Sequence, residues 1–158
     1  MSTYNYKNEL LTADFVTKEI RKLQYKELSI VVVNNGATDE SDSVLSKLLQ
    51  APVLGLGDYK ASSNNTYILT SRENLGFARG NNLGAEFAKK HLKPEYLLFS
   101  NNDIQITQPD TIEELIITLE GHPEVGMIGP KVIGLKGELQ SPEPYQSFWD
   151  RCISLLHS

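Results

Sequence analysis

The chain has 158 residues, one domain's worth, enough to withdraw about two thirds of its unfolded surface from water without disulfide or metal staples. Its 15 basic against 20 acidic side chains, a net charge of −5, argue against general nucleic-acid binding, so a phosphate ligand has to be met by local rather than global positive potential. The single cysteine, Cys152, excludes an internal disulfide and a cysteine-built zinc site.

The opening MSTYNYKNEL lacks an apolar signal core, and no window approaches the roughly 18 continuous apolar residues of a membrane span, so a cytoplasmic protein is expected. The first residues, Ser2 to Tyr6, read as the tail of a strand whose body is absent. Leu11, Phe15, Ile20 and Leu23 keep a helical period and predict an amphipathic helix over 8–23. A β-branched run without alternation over 28–33 predicts a strand covered on both faces, stopped by Asn34, Asn35 and Gly36. A short helix over 41–50, with Ser41 as its cap and Pro52 marking its end, precedes a polar surface loop over 54–65. The remaining elements are a strand over 67–70, a helix over 76–91, a strand over 96–99, a helix over 111–120 and a last strand over 125–128 before Pro130. This alternation implies an α/β fold with a mostly parallel sheet and helices on both faces. An apolar group near the C-terminus, Phe148, Trp149, Ile153, Leu155 and Leu156, calls for something to pack against.

Three strand-then-polar-loop units carry most of the information: VVVNNGATDES (31–41), ENLGFARGNN (73–82) and YLLFSNND (96–103). Each apolar run stops abruptly at Asn, Gly or Asp. Such a pattern places polar groups at the carboxyl ends of strands, where open α/β sheets bind ligands.

With these loop ends the chain resembles family 2 of the inverting nucleotide-sugar glycosyltransferases, its rhamnosyltransferase-like members in particular. The resemblance runs over about residues 3–142. It rests on Thr3, Tyr4 and Asn5 at the first strand end, on Val33 to Asp39 at the second, and on Asn74 to Ala78 followed by Asn81 and Asn82. Asn101, Asn102 and Asp103 stand at the fourth strand end, and Gly126 to Lys131 follow as in the family. It implies a GT-A, Rossmann-like sheet that forms the nucleotide-sugar-binding half over 1–142, with 143–158 beginning an acceptor-side region. It implies a UDP- or dTDP-sugar donor, Mg²⁺ or Mn²⁺, and inverting transfer to a glycan or lipid-linked acceptor.

Asp103 takes the family's metal role, a carboxylate at a strand end suited to a divalent ion whose other positions are filled by diphosphate oxygens and water. Asn101 and Asn102 would add amide groups near ribose and phosphates, and Thr3, Tyr4 and Asn5 would line the donor. The plain alternative is that Asn101 to Asp103 only make a turn. Asn34 stands where the family usually has an Asp that accepts a hydrogen bond from the base. A neutral acceptor is about half as strong as a charged one, so tight selectivity for uridine or thymidine is not expected; equally, Asn34 to Gly36 can serve only as turn residues. Gly76 opens a helix whose first amides can meet an anion, with Arg79 as the side-chain partner for a phosphate. Gly80 and Gly84 lie inside that helix at a cost of about 2 kcal/mol relative to alanine, which close packing on the sheet would offset.

His91, His122 and His157 have no metal or nucleophile spacing, and the serines lack the Gly-x-Ser-x-Gly setting of a hydrolase elbow. An inverting transfer needs a general base. The resemblance places it in an acidic motif downstream of the metal motif, and Glu143 and Asp150 do not stand in that context. The expectation is therefore the donor-binding half of a transferase, truncated at both ends and with little activity alone. A non-catalytic remnant that self-associates through exposed strand edges and apolar ends is the alternative. A response-regulator-like module is disfavoured, because it would place acidic residues where this chain has asparagine.

Overall fold

The structure, a computed structural model, describes residues 1–141. The chain divides into two units, 1–110 and 111–158. The first holds a five-stranded sheet in the order β3-β4-β2-β1-β5, every pairing parallel. Its strands are β1 (Ser2–Asn5), β2 (Ile30–Asn35), β3 (Val53–Leu54), β4 (Thr66–Ser71) and β5 (Phe99–Ser100). The helices are α1 (Glu9–Asp14), which runs on through a π turn (Phe15–Glu19) and a 3-10 turn (Ile20–Lys22), then α2 (Asp39–Leu49) and α3 (Gly76–Phe87), prolonged by a π turn (Ala88–Leu92).

Parallel strands need crossovers, and right-handed crossovers decide which face each one covers. From β1 to β2 and on to β3 the chain moves one way along the sheet, so α1 and α2 share a face. From β4 it returns past β1 to β5, which sends α3 to the opposite face. Both faces of β2 are consequently sealed. Val32 and Ile68 pack with Phe15, Leu45 and Leu49 on one side, and Val31, Val33 and Leu69 pack with Phe87 on the other. Full burial explains the unalternating β-branched run of β2.

Several sequence expectations change. The cap of α2 is Thr38, not Ser41. Ser41 is the reciprocal partner three residues on, its amide donating to Thr38 Oγ1 at 3.1 Å while its hydroxyl accepts from the Thr38 amide at 2.9 Å. Gln50, in the left-handed conformation, ends the helix. The 54–65 loop begins one residue later, because Leu54 is buried in β3 beside Leu69; Tyr59 from this loop then stacks on His91 at 4.8 Å.

The strand tail Ser2–Asn5 is not an edge of the sheet. It lies between β2 and β5, the Ser2 amide donates to Leu98 O, and Met1 O accepts from Val31. The edges of this sheet are the two-residue strands β3 and β5.

In the second unit, α4 (Thr111–Gly121) matches expectation, but 125–128 forms no strand. Gly126 breaks that run, Met127 is exposed, and the run finds no ladder partner among the described residues. An antiparallel hairpin of β6 (Val132–Ile133) and β7 (Leu139–Ser141) follows instead, with Gly137 in its turn at φ +84°. The readings of Phe148 to Leu156, Glu143 and Asp150 fall outside the described residues.

Gly80 and Gly84 seat α3 on the sheet. A Cβ at Gly80 would lie 2.8 Å from the Tyr4 ring, and one at Gly84 would meet Ser2 Oγ and lie 3.1 Å from Val33 Cγ2. The packing reading of these two glycines holds. Gly84→Ala gains about 1 kcal/mol in helix propensity but overpacks against two strands at about 1–3 kcal/mol, so a net loss of about 1 kcal/mol in urea unfolding is expected.

Glu19 ties the segment after Asp103 to the first helix, its Oε2 accepting from the Ile106 amide at 2.8 Å and from Lys22 Nζ at 2.6 Å. The Lys22 hydrogen bond, and after it the Ile106 amide, hold this carboxyl below the usual carboxylate range. A lowered folded pKa stabilises above the unfolded value of about 4.3 and ceases to as pH falls through the folded one. Glu19→Gln should cost under about 1 kcal/mol at pH 7, the scale of an exposed pair, with the difference in urea midpoint from the parent vanishing in acid.

Candidate functional site at the carboxyl edge of the sheet

The parallel sheet brings the ends of β4, β2, β1 and β5 side by side along one edge. The chain reverses its direction across the sheet between β1 and β5, and such a reversal opens a crevice beyond the strand ends. Asn5 closes β1 on one side of that crevice, and Asn101, Asn102 and Asp103 follow β5 on the other.

Two polar networks lie behind it, one per face, because Asn34 and Asn35 alternate across the sheet. On the α1/α2 face, Asn5 and Asn34 are paired in register and fully buried, and Asn5 Nδ2 donates to Asn34 Oδ1 at 2.8 Å. Asn34 Nδ2 donates to Asp42 Oδ1 at 2.8 Å and to Ser41 Oγ at 2.9 Å. The other oxygen of Asp42 accepts from Thr70 Oγ1 at 3.0 Å and lies 3.2 Å from Arg72 Nη1, while Arg72 Nη2 reaches Asp39 at 2.7 Å. At the opposite end, Thr12 Oγ1 lies 2.6 Å from Asn5 Oδ1 and 3.0 Å from Asn8 O, and it accepts from Asn102 Nδ2 at 2.7 Å.

On the α3 face, Asn35 Nδ2 donates to Tyr4 Oη at 2.6 Å and to Asn74 Oδ1 at 2.7 Å, and its Oδ1 accepts from the Leu75 amide at 3.0 Å. Asn74 Oδ1 also takes the Gly76 amide at 3.0 Å.

The sequence-proposed site residues therefore separate. Thr3, Asn5 and Asn34 are buried within the sheet; both ends of the Asn34 amide are engaged internally, and Thr3 Oγ1 has no partner among the described residues. Tyr4 is half-buried, with its hydroxyl between Asn35 and Asn74. Gly76 has φ +75° and open space around it, so a backbone requirement and not packing selects glycine, and its amide is already held by Asn74. Arg79, Asn101 and Asp103 are exposed, and neither Arg79 nor Asp103 forms an ion pair among the described residues. Phe77, exposed beside Arg79, meets the Tyr4 ring edge-on at 5.9 Å.

Asp42 and Thr12 are not singled out from sequence, and Asn35 is read there only as part of the loop motif and turn after the strand. For Asn35 the signal was present: a second asparagine directly after Asn34 in a strand must face the other way. For Thr12 nothing local distinguishes it from any helical threonine.

No group of three or more His, Cys, Asp or Glu side chains gathers among the described residues. A divalent cation nevertheless fits the donor set at 101–103. One unpaired carboxylate flanked by amide oxygens suits a hard ion that takes most of its shell from phosphate and water.

The family model of glycosyl transferase family 2 matches residues 1–155. The chain belongs to that family. It is also 24% identical over 150 residues to the low-salt glycan biosynthesis hexosyltransferase Agl10 of Haloferax volcanii, an alignment covering 89% of this chain and 48% of that protein. The chain thus spans about half the length of the curated relative it matches. Family 2 is a family of glycosyl transferases, and the five parallel strands with helices on both faces agree with a GT-A architecture. Members of the family generally use a divalent cation and a nucleotide-sugar donor. No helix among the described residues is long and apolar enough to cross a membrane.

The setting of Asn34 makes a carboxylate costly there. Asn34→Asp, which installs the residue usual for the family, would exchange a donor for a second negative group about 2.8 Å from Asp42. A loss of about 2–3 kcal/mol at pH 7 is expected in urea unfolding.

Proposed function

We propose that this chain is the donor-binding half of an inverting glycosyltransferase that takes a nucleotide-diphospho-sugar, UDP- or dTDP-linked, with Mg²⁺ or Mn²⁺, for transfer to a glycan or lipid-linked acceptor on the cytoplasmic side. The observation that carries this reading is the exposed carboxylate of Asp103, without an ion-pair partner among the described residues, in the loop after β5 where the chain reverses. Asp103 would hold the cation, with Asn101 and Asn102 beside it. The cation would offset diphosphate charge as the sugar leaves, a contribution of several kcal/mol in such reactions. Arg79 and Phe77, exposed at the start of α3, stand ready for phosphate and for an apolar ligand surface. The hexosyltransferase named among its relatives supports a hexose donor and a role in glycan assembly. The general base is expected from an acidic motif outside residues 1–142.

A second reading, a non-catalytic self-associating chain, draws on exposed apolar side chains of the second unit, Met127 and Leu135 above all.

Calorimetry with UDP and dTDP separates the two. Saturable binding that needs Mn²⁺ and weakens at least tenfold in Asp103→Ala is the expected result. No heat from either nucleotide at millimolar concentration, with dimers or larger species in light scattering, would leave the second reading.

A further inference from the structure

The stretch that carries Asp103 is fastened to a neighbouring helix on both sides of that residue. After β5 the chain runs beside α1 and its continuation, and three bonds tie the two together in the same order along both. Asn102 Nδ2 donates to Thr12 Oγ1 at 2.7 Å, the Ile106 amide donates to Glu19 Oε2 at 2.8 Å, and the Gln24 amide donates to Pro109 O at 2.9 Å. Between the first two ties, Ile104 packs against the cluster that contains Phe15 and Ile20. Burial alternates accordingly: Asn102, Ile104 and Ile106 are half-buried, while Asn101, Asp103 and Gln105 are exposed. The tie at Thr12 does not depend on where its own proton goes. Its oxygen accepts from Asn102 whether the hydroxyl donates to Asn5 Oδ1 at 2.6 Å or to Asn8 O at 3.0 Å. Ionised Glu19 can only accept, and the same oxygen takes the Ile106 amide and Lys22 Nζ at 2.6 Å. Thr12 and Glu19 stand about 10 Å apart along a helix, and the chain from Asn102 to Ile106 reaches about 14 Å at most, so little slack is left while both ties hold.

We propose that Glu19 and Thr12 are positioning residues for Asp103: acting from α1 and its π turn, they hold the backbone of 102–106 so that the carboxylate is in place before a divalent cation arrives. The cation's part in this rests on the metal-dependent donor-binding reading; the fastening of the backbone does not. A carboxylate on a slack loop has to be ordered as the cation binds, and ordering the backbone of one residue costs roughly a tenfold loss of affinity. With both ties made, Asp103 has only its side-chain torsions left to settle. Neither residue is a ligand in this scheme, since each acts through the chain that it holds.

The test uses the ¹⁵N-labelled 158-residue chain, first without metal and then with Mn²⁺ alone as the probe. In the parent, the Asp103 amide should relax as rigid backbone, with an order parameter of about 0.85, and Mn²⁺ should broaden the signals of Asn101 to Asp103. In Glu19→Ala and in Thr12→Val the order parameter at Asp103 should fall toward about 0.6, and the Mn²⁺ concentration for half-broadening should rise about tenfold. Glu19→Gln removes the charge but keeps an oxygen for the Ile106 amide, and Thr12→Ser keeps the hydroxyl, so both should stay near the parent values. Lys22→Met, which removes the ion pair and spares the Ile106 bond, should do the same. Thr12 also serves the buried amide network, so Glu19→Ala is the deciding variant. An unchanged order parameter or an unchanged Mn²⁺ titration in it would overturn the proposal, as would a Glu19→Gln chain that binds Mn²⁺ as weakly as Glu19→Ala, since charge and not the bond would then be at work. Absence of Mn²⁺ broadening in the parent would overturn the metal reading and the positioning role with it, while the metal-free order parameters would still report whether the two ties hold the loop.

Discussion

The contact between the Asn5 and Asn34 amides, 2.8 Å apart and sealed from water, sets the terms for the rest of this molecule. A buried amide that loses its partner costs about 1–3 kcal/mol, so these two strand ends are held opposite one another wherever the protein is folded. Each amide then has to satisfy its other end, which recruits Thr12 from α1 and Asp42 from α2. Both helices on that face are thus tied to the sheet by polar bonds at the edge that bears the crevice and by apolar packing farther down, where Phe15 and Leu45 meet Val32. Asn35 performs the corresponding task on the other face, gripping the turn into α3.

The crevice therefore has two kinds of polar residue. Those nearest the strands spend their hydrogen bonds on one another, while Asn101 and Asp103 after β5 and Arg79 in α3 are exposed and form no ion pair among the described residues. Low dielectric strengthens the first set and makes it intolerant of unpaired charge. Exposure leaves the second set inexpensive to hold and free to move. Asp42 is the charged member of the first set: a carboxylate with only 10% of its side-chain surface exposed, compensated by Arg72, Thr70 and Asn34.

Much of this was legible before the fold was seen. The unbroken apolar run before Asn34 required a strand buried on both faces, and the alternation of elements required parallel pairing. What the residues could not disclose was which strands are neighbours. Asn34 looked equally like a ligand contact or a turn residue because its partner, Asn5, is 29 positions away in sequence and adjacent only once β1 lies beside β2. The serine at 41 drew attention as a cap since serine caps commonly, while Thr38 three positions earlier held that place and used Ser41 as its counterpart. At 125–128 an apolar composition suggested a strand, yet a strand is defined by a ladder, and no sequence window reports whether a neighbour exists to form one.

The close seat of α3 has a further consequence, for how this scaffold can diversify. Gly80 and Gly84 press the helix onto β1 so tightly that it has no room to slide or roll, and the contact is made by positions that face inward. Arg79, the residue before Gly80, is exposed, and Phe77 keeps more than half of its surface exposed while one edge meets the Tyr4 ring. New chemistry at the tip can therefore be sampled by replacing outward side chains on a fixed mount, with innovation uncoupled from the requirement to fold.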